Sequence, residues 1–349
     1  MIRPSVNFLS AAVLAAFSLT LIQVSAQTQS GGQLNEGTGL RPKPPAAAMQ
    51  VPAAPSQTPA APAPAVLPTF PKVDPQYFTA PLPTKETINA FLEASWGYEE
   101  NRIWQVQAIL KTPVEGISKV VIFVNDKSGK EKPSVLQFFA LPDGKHIITG
   151  DQIVAFGEHP FADFRAELQQ QANGPYRGAA SKDLELVEFA DFQCPHCKDA
   201  QANMDKLAVD FPKARIVFEN SPNPTIHPQA VKAASFGACV AKLGGSTAFF
   251  QFATDVFDGQ DGLATVDGAT LTLNSAVTKV GLDPAKIAAC AATPEIKAGL
   301  DASFKLATDI GISQVPTLVI NGREIPANVP YETLKKIVAY QAKLDGVTL

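Results

Sequence analysis

Apolar positions change period several times along the chain. The first run, Phe8 to Ile22, is continuous; Arg3 precedes it and Val24-Ser25-Ala26 come after it. A cation, a short apolar core and small residues are the parts of a secretory signal, so residues 1–26 are read as a signal peptide. The run is short for a membrane span of about 20 residues. No cysteine precedes Cys194, so there is no thiol to carry a lipid at a signal-peptide cleavage site. From 27 to 80 the chain is dense in Pro and Ala, a pattern that buries little and predicts a disordered, semi-rigid linker.

Helical spacing begins after Thr84, a candidate N-cap, with Ile88, Phe91 and Leu92 on one face. Strand-like runs come next: WQVQAIL, SKVVIFVND and SVLQFFALPDGKHIITGDQIVAFG. Pro142-Asp143-Gly144 in the last predicts a hairpin. HPFADFRAELQQQA, 159–172, reads as a helix leading out. Residues 81–175 are therefore expected to form a small α+β domain. It has no cysteine and no catalytic cluster, so binding or assembly is the role that composition suggests.

From 176 to 349 the pattern is strand (LELVEFADF), helix (KDAQANMDKLAVDF), strand (ARIVFEN), then a largely helical stretch over about 227–309. PTLVING and REIPA, joined through Asn321-Gly322, predict a hairpin, and VPYETLKKIVAYQAKL a last helix. An α/β core of four strands with a helical insertion is expected.

Composition narrows the function. The chain has 349 residues, enough for about two domains, and a formal charge of −4. That balance offers no basic surface for nucleic acid and no polybasic membrane patch. All four cysteines, Cys194, Cys197, Cys239 and Cys290, lie in the second half. In an exported protein they can persist as disulfides.

DFQCPHCKDA carries the chemistry. Cys194 falls where a strand meets a helix, so free N–H groups and the positive end of the helix dipole favour its anion. Pro195 suits the first helical turn. His196 is expected to add a positive charge or a donor near the sulfur. Cys197, one turn on, can close a small, reactive disulfide with Cys194. Zinc would need two further ligands, and neither Cys239 nor Cys290 has a CxxC partner. Covalent haem needs histidine at position 198, which is Lys198. No metal and no cofactor are expected.

Glu188, on the same strand face as Leu186 and Ala190, is a candidate buried acid for the proton of Cys197, with Asp191 as second choice; a strand-end carboxylate facing water is the other reading. Pro316 heads a strand, and a cis Val315–Pro316 bond would leave the Val315 backbone free to bind a passing peptide. Spacing alone leaves that isomer open. Cys239 and Cys290 sit on helix faces among apolar neighbours, and a disulfide between them is expected over two buried thiols. His227, in TIHPQA, is expected to help start a helix, with a catalytic role as the lesser reading. His146 and His159 read as surface residues.

VEFADFQCPHC, the helical insertion and GISQVPTLVING together resemble the thioredoxin-fold thiol–disulfide oxidoreductases, most of all the DsbA family, over about residues 180–345. The resemblance implies that Cys194 is the nucleophile, Cys197 the resolving thiol, Pro316 the cis-proline and Glu188 the buried acid. It also implies that the histidine between the cysteines destabilises the disulfide relative to the thiolate. LPDGKHIITGDQIVAFG and the lead-out helix are similar to the cystatin-like dimerisation domain of the DsbC and DsbG isomerases. Those proteins typically carry CGYC and Thr before the cis-proline, whereas this chain has CPHC and Val315.

The expected function is oxidation of cysteines in exported, periplasmic or secreted polypeptides, with a DsbB- or DsbD-like membrane partner restoring the site. Two alternatives stay open: a dimeric isomerase or reductase of the DsbC/DsbG type, assembled through residues 81–175, and a non-catalytic peptide-binding chaperone.

Overall fold

The computed structural model describes residues 70–130 and 132–349. The signal-peptide assignment and nearly all of the linker lie outside these residues.

In the first domain Thr84 caps helix α1 (Lys85–Trp96), its hydroxyl accepting from the Thr87 amide at 3.2 Å. The face carrying Ile88, Phe91, Leu92 and Trp96 is buried against an antiparallel sheet. Its strands are β1 (Arg102–Lys111), β2 (Ser118–Asp126), β3 (Ser134–Ala140), β4 (His146–Thr149) and β5 (Gln152–Ala155), adjacent in chain order. Alternation along β2 puts Val120 and Ile122 inside, with Phe138, Ile147 and Val154 from the later strands. At the β3–β4 turn the Asp143 carboxylate accepts from the Lys145 and His146 amides, and Gly144 takes φ +67°.

One boundary needs correction. Phe78 bridges to Ile109, and the Thr79 and Ala80 amides donate to the Ile109 carbonyl, so the folded domain reaches back into the stretch that the sequence assigns to the linker. Pro-rich composition hid the one aromatic with a place in the core.

Helix α2 (Ala162–Gln171) leads to the second domain. There the strands are β6 (Tyr176–Gly178), β7 (Glu185–Ala190), β8 (Arg215–Asn220), β9 (Thr317–Ile320) and β10 (Arg323–Pro326), in the order β10-β9-β7-β8-β6. Only β7 and β8 run parallel. The expected four strands are thus five: β6 adds an antiparallel edge through three residues, too few to show a period.

Helix α3 (Pro195–Asp210) comes after β7. The insertion holds α4 (Ala230–Asp258), α5 (Val266–Lys279), α6 (Pro284–Ala291) and α7 (Pro294–Asp309); α8 (Tyr331–Leu344) ends the fold. Gly245, at φ +80°, kinks α4.

β7 lies inside the sheet, with both faces covered. Leu186 joins Leu318, Ile320 and residues of α3 and α8 on one side; Val187 and Phe189 join Leu168, Leu306 and Ala307 on the other. The C-terminal end of a strand covered this way is a rigid platform for the turn that carries the cysteines.

The two domains are clamped at Arg323. Its Nη1 donates to the Ser95 carbonyl at 3.0 Å and Nε to Gln341 Oε1 at 2.9 Å, its Nη2 donates to the Ala94 carbonyl, and its guanidinium lies over Phe161. The Tyr340 hydroxyl donates to the Glu93 carbonyl at 2.7 Å.

Candidate active site: two unlike thiols

β7 ends at Ala190, a short turn intervenes, and Cys194 becomes the N-cap of α3 with extended backbone (φ −76°, ψ 120°). Pro195 takes the first helical position, where its missing N–H costs nothing. The Cys197 and Lys198 amides donate to the Cys194 carbonyl at 3.1 and 3.3 Å, closing the first turn. Both sulfurs therefore sit where unpaired helical N–H groups concentrate.

Their environments differ. Cys194 is 6% exposed and Cys197 is fully buried. The Cys194 thiol is pulled down to about 6, chiefly by a hydrogen bond from Cys197, against the opposing effect of burial. The backbone N–H groups of Cys197 and His196 and the charge of His227 add to the pull. Cys197 is pushed far up, first by that same bond, then by burial, despite the Asp191 amide donating to its sulfur at 3.4 Å. In a reduced pair this means one thiolate and one thiol at neutral pH.

His196 is placed otherwise than expected. Its imidazole is 72% exposed, with Nδ1 3.9 Å from the Asp199 carboxylate. Residue 196 acts on Cys194 through its backbone N–H, because at the second helical position the side chain points outward while the amide points along the axis.

Glu188 is buried under α3, and burial raises it to about 7 although Gln201 Nε2 donates to its Oε1 at 2.8 Å. Gln201 also donates to the Cys197 carbonyl at 3.1 Å, and the Glu188 charge helps hold Cys197 protonated. Because the folded-state value is raised, stability from protonated Glu188 is fully present below its ordinary 4.5 and is lost as pH rises through about 7. Glu188→Gln is therefore expected to leave stability unchanged at pH 4 and to raise it by about 3 kcal/mol at pH 8. Denaturant unfolding of both proteins at the two pH values checks this; equal stabilities at pH 8 would refute it.

Val315 and Pro316 arrive from the loop before β9. Their peptide bond is cis, and the Val315 carbonyl oxygen lies 4.0 Å from the Cys194 sulfur. Cys239 and Cys290 are joined by a disulfide between α4 and α6, with Cα atoms 6.0 Å apart. Neither is therefore free to share a metal with the CxxC pair.

Two residues escaped the sequence reading, and a third, His227, does more than start a helix. Gln260, buried in the insertion, donates to the Phe192 and Cys194 carbonyls at 2.8 and 2.9 Å. Gln193 donates to the Leu263 carbonyl at 3.0 Å and accepts from the Gln229 amide at 2.7 Å. His227 bonds to Asp191, Nδ1 to Oδ2, at 2.8 Å. Each joins parts of the chain some 35 to 70 residues apart. Only the polar residues flanking the CxxC turn hint at them. Beneath the turn Phe192 stacks on Phe218 at 5.3 Å between centroids and contacts Phe249, Phe252 and Phe257, so the loop rests on an aromatic floor.

Residues 170–339 match the family model described as Thioredoxin. Among solved structures, ScsC of Proteus mirabilis in a transitional conformation is 24% identical, with TM-score 0.44, covering 52% of this chain and 79% of that one. The thiol-disulfide exchange protein alpha-DsbA2 of Wolbachia pipientis is 20% identical at TM-score 0.44, covering 51% and 95%. Oxidised BdbD of Bacillus subtilis is 19% identical at 0.44, covering 50% and 95%. Among curated proteins, Na(+)/H(+) antiporter NhaA 3 of Salinispora tropica is 33% identical over 91 residues, 26% of this chain and 14% of that protein. NhaA 1 of Salinispora arenicola is 26% identical over 168 residues, 46% of this chain and 24% of that protein. The chain thus spans about a seventh to a quarter of these curated relatives. Among the described residues no helix is long and apolar enough to cross a membrane.

Proposed function

Residues 170–339 form a thioredoxin-family domain, and from that premise we propose that the chain is an exported thiol–disulfide oxidoreductase that oxidises cysteine pairs in other exported polypeptides. The observation that carries this is the split between the thiols: Cys194 held low and slightly exposed, Cys197 held high and buried.

A substrate thiolate attacks Cys194 Sγ in the disulfide form. The Cys194–Cys197 bond breaks, and Cys197 takes the electron pair and a proton, with Glu188 beside it as the group that passes protons. A second substrate thiolate then attacks the substrate sulfur of the mixed disulfide. Cys194 leaves as a thiolate, a good leaving group because its anion is stabilised. Two electrons pass from the substrate thiols to the CxxC pair. Of the two protons, one ends on Cys197 and one is released. A membrane thiol oxidant must then take the electrons back. The Val315 backbone, its carbonyl 4.0 Å from Cys194 Sγ, is the partner proposed for the substrate backbone.

Export draws its support from the apolar run before residue 26 and the Cys239–Cys290 disulfide, which suits an oxidising compartment.

One observation favours a second reading. On the outer face of the first domain Phe139, Ile148 and Ile153 lie in cross-strand register, with Phe139 and Ile153 exposed. An apolar face of that kind suits self-association, and hence the dimeric isomerase. The separating experiment supplies either a reduced or a scrambled substrate. An oxidase in its disulfide form oxidises the reduced substrate stoichiometrically and does little for the scrambled one. An isomerase in its dithiol form rescues the scrambled one without added oxidant.

A further inference from the structure

Asp191 is where the redox turn is held together. Its amide donates to Cys197 Sγ and its carbonyl accepts from the Cys194 amide at 3.1 Å. Its carboxylate is fully buried and takes the Gln193 amide at 2.8 Å on Oδ1 and the Asn223 amide at 2.9 Å on Oδ2. The remaining partner of Oδ2 is the His227 ring at 2.8 Å.

The ring is not needed to start α4. The His227 amide donates to the Asn223 carbonyl at 2.9 Å and its carbonyl accepts from Ala230 at 3.0 Å, so the backbone alone shapes that turn. With Nδ1–H given to Asp191, Nε2 is left to gain or lose the second proton. Among the described residues, Nε2 has no hydrogen-bond partner. The Asp191 carboxylate bonds the ring directly, and the charge of His227 is felt at the Cys194 thiol. Lys232, the nearest cation along α4, is tied instead to the Thr270 hydroxyl at 2.7 Å.

We propose that His227, anchored by Asp191, is the second charge of the redox site: a protonated imidazole that stabilises the Cys194 thiolate and so favours the dithiol product. It is a positioning residue in the exchange reaction, acting through its field on Cys194. It does from the insertion what the sequence assigns to His196, whose ring faces solvent. The inference rests on the oxidoreductase reading above. Protons and electrons balance: when two substrate thiols reduce the CxxC disulfide, one proton goes to Cys197, the other is released to water, and Cys194 keeps its negative charge opposite the imidazolium.

The test uses the full chain. The thiolate absorbance of Cys194 is titrated in the wild type, His227→Gln and His227→Lys, and the ring protons of His227 are titrated in both redox forms of the wild type. The Cys194 midpoint is expected to rise by roughly half to one pH unit in His227→Gln, with about a three- to tenfold loss of oxidising power against glutathione. His227→Lys should recover most of the shift, since it restores charge without the ring. An unchanged midpoint in the glutamine variant overturns the proposal. So does an equal rise in both variants, which would mark a merely structural role. If neither variant folds, the wild-type ring titration decides: protonation independent of redox state overturns it. Wild type that does not exchange with glutathione at all would instead remove the oxidoreductase reading, whatever His227 does.

Discussion

Cys194→Ser is expected to reduce oxidation of a dithiol substrate to the uncatalysed rate, a loss of about a thousandfold or more. The serine hydroxyl is close in shape to the thiol, so the N-cap of α3, Pro195 and the aromatic floor under Phe192 should survive. What disappears is the one atom able to form and release a sulfur–sulfur bond while carrying a stabilised negative charge. Cys197→Ser should behave differently. With no disulfide left in the site it cannot oxidise a dithiol, but its Cys194 thiolate can still attack a disulfide-bonded substrate; in that reducing direction Cys197 is the thiol that would displace the bound half, so the mixed disulfide should persist as a covalent adduct that reductant releases. Full activity in Cys194→Ser would turn the protein into a peptide-binding chaperone with a thioredoxin frame.

Replacing both Cys239 and Cys290 by alanine should produce the largest loss of stability outside the main core. The cross-link closes a loop with a sequence separation of 51. In the chain-entropy picture that is about 4 kcal/mol at room temperature. The loss has a functional side, because α4 and α6 belong to the insertion that supplies Gln260 and His227. A loosened insertion should hold the Cys194 and Phe192 carbonyls less firmly, so activity should fall at temperatures where the wild type is fully folded. Denaturant unfolding of oxidised wild type against the double variant measures the effect. A difference below about 1 kcal/mol would show that packing, not the cross-link, holds the insertion.

The CxxC pair was legible because its placement is local. A strand ending in DF, then Cys-Pro-His-Cys and a helical run, places a sulfur at a helix start by sequence alone. The same holds for Thr84 and for the Asp143-Gly144 turn, where one side chain or one positive φ decides the structure. Glu188 could be placed on an inward face by alternation, although the Gln201 bond that links it to the Cys197 carbonyl could not. His227, Gln193 and Gln260 were opaque for a plain reason. Their partners lie across a fold boundary, and a polar residue in a helical insertion has no period that marks it. β6 escaped because three residues carry no alternation, and Phe78 because its surroundings read as linker. His196 supplies the expected donor near the sulfur through its backbone N–H, while its ring points outward from the first helical turn.

The most direct measurement is the ionisation of Cys194 in the reduced, otherwise unaltered chain, tracked by thiolate absorbance from pH 3 to 10 and assigned by alkylation and mass spectrometry. A midpoint near 6 is expected at Cys194, with Cys197 still protonated at the alkaline end. A midpoint at the ordinary thiol value of about 8.5, or ionisation of Cys197 first, would contradict the split between the two thiols.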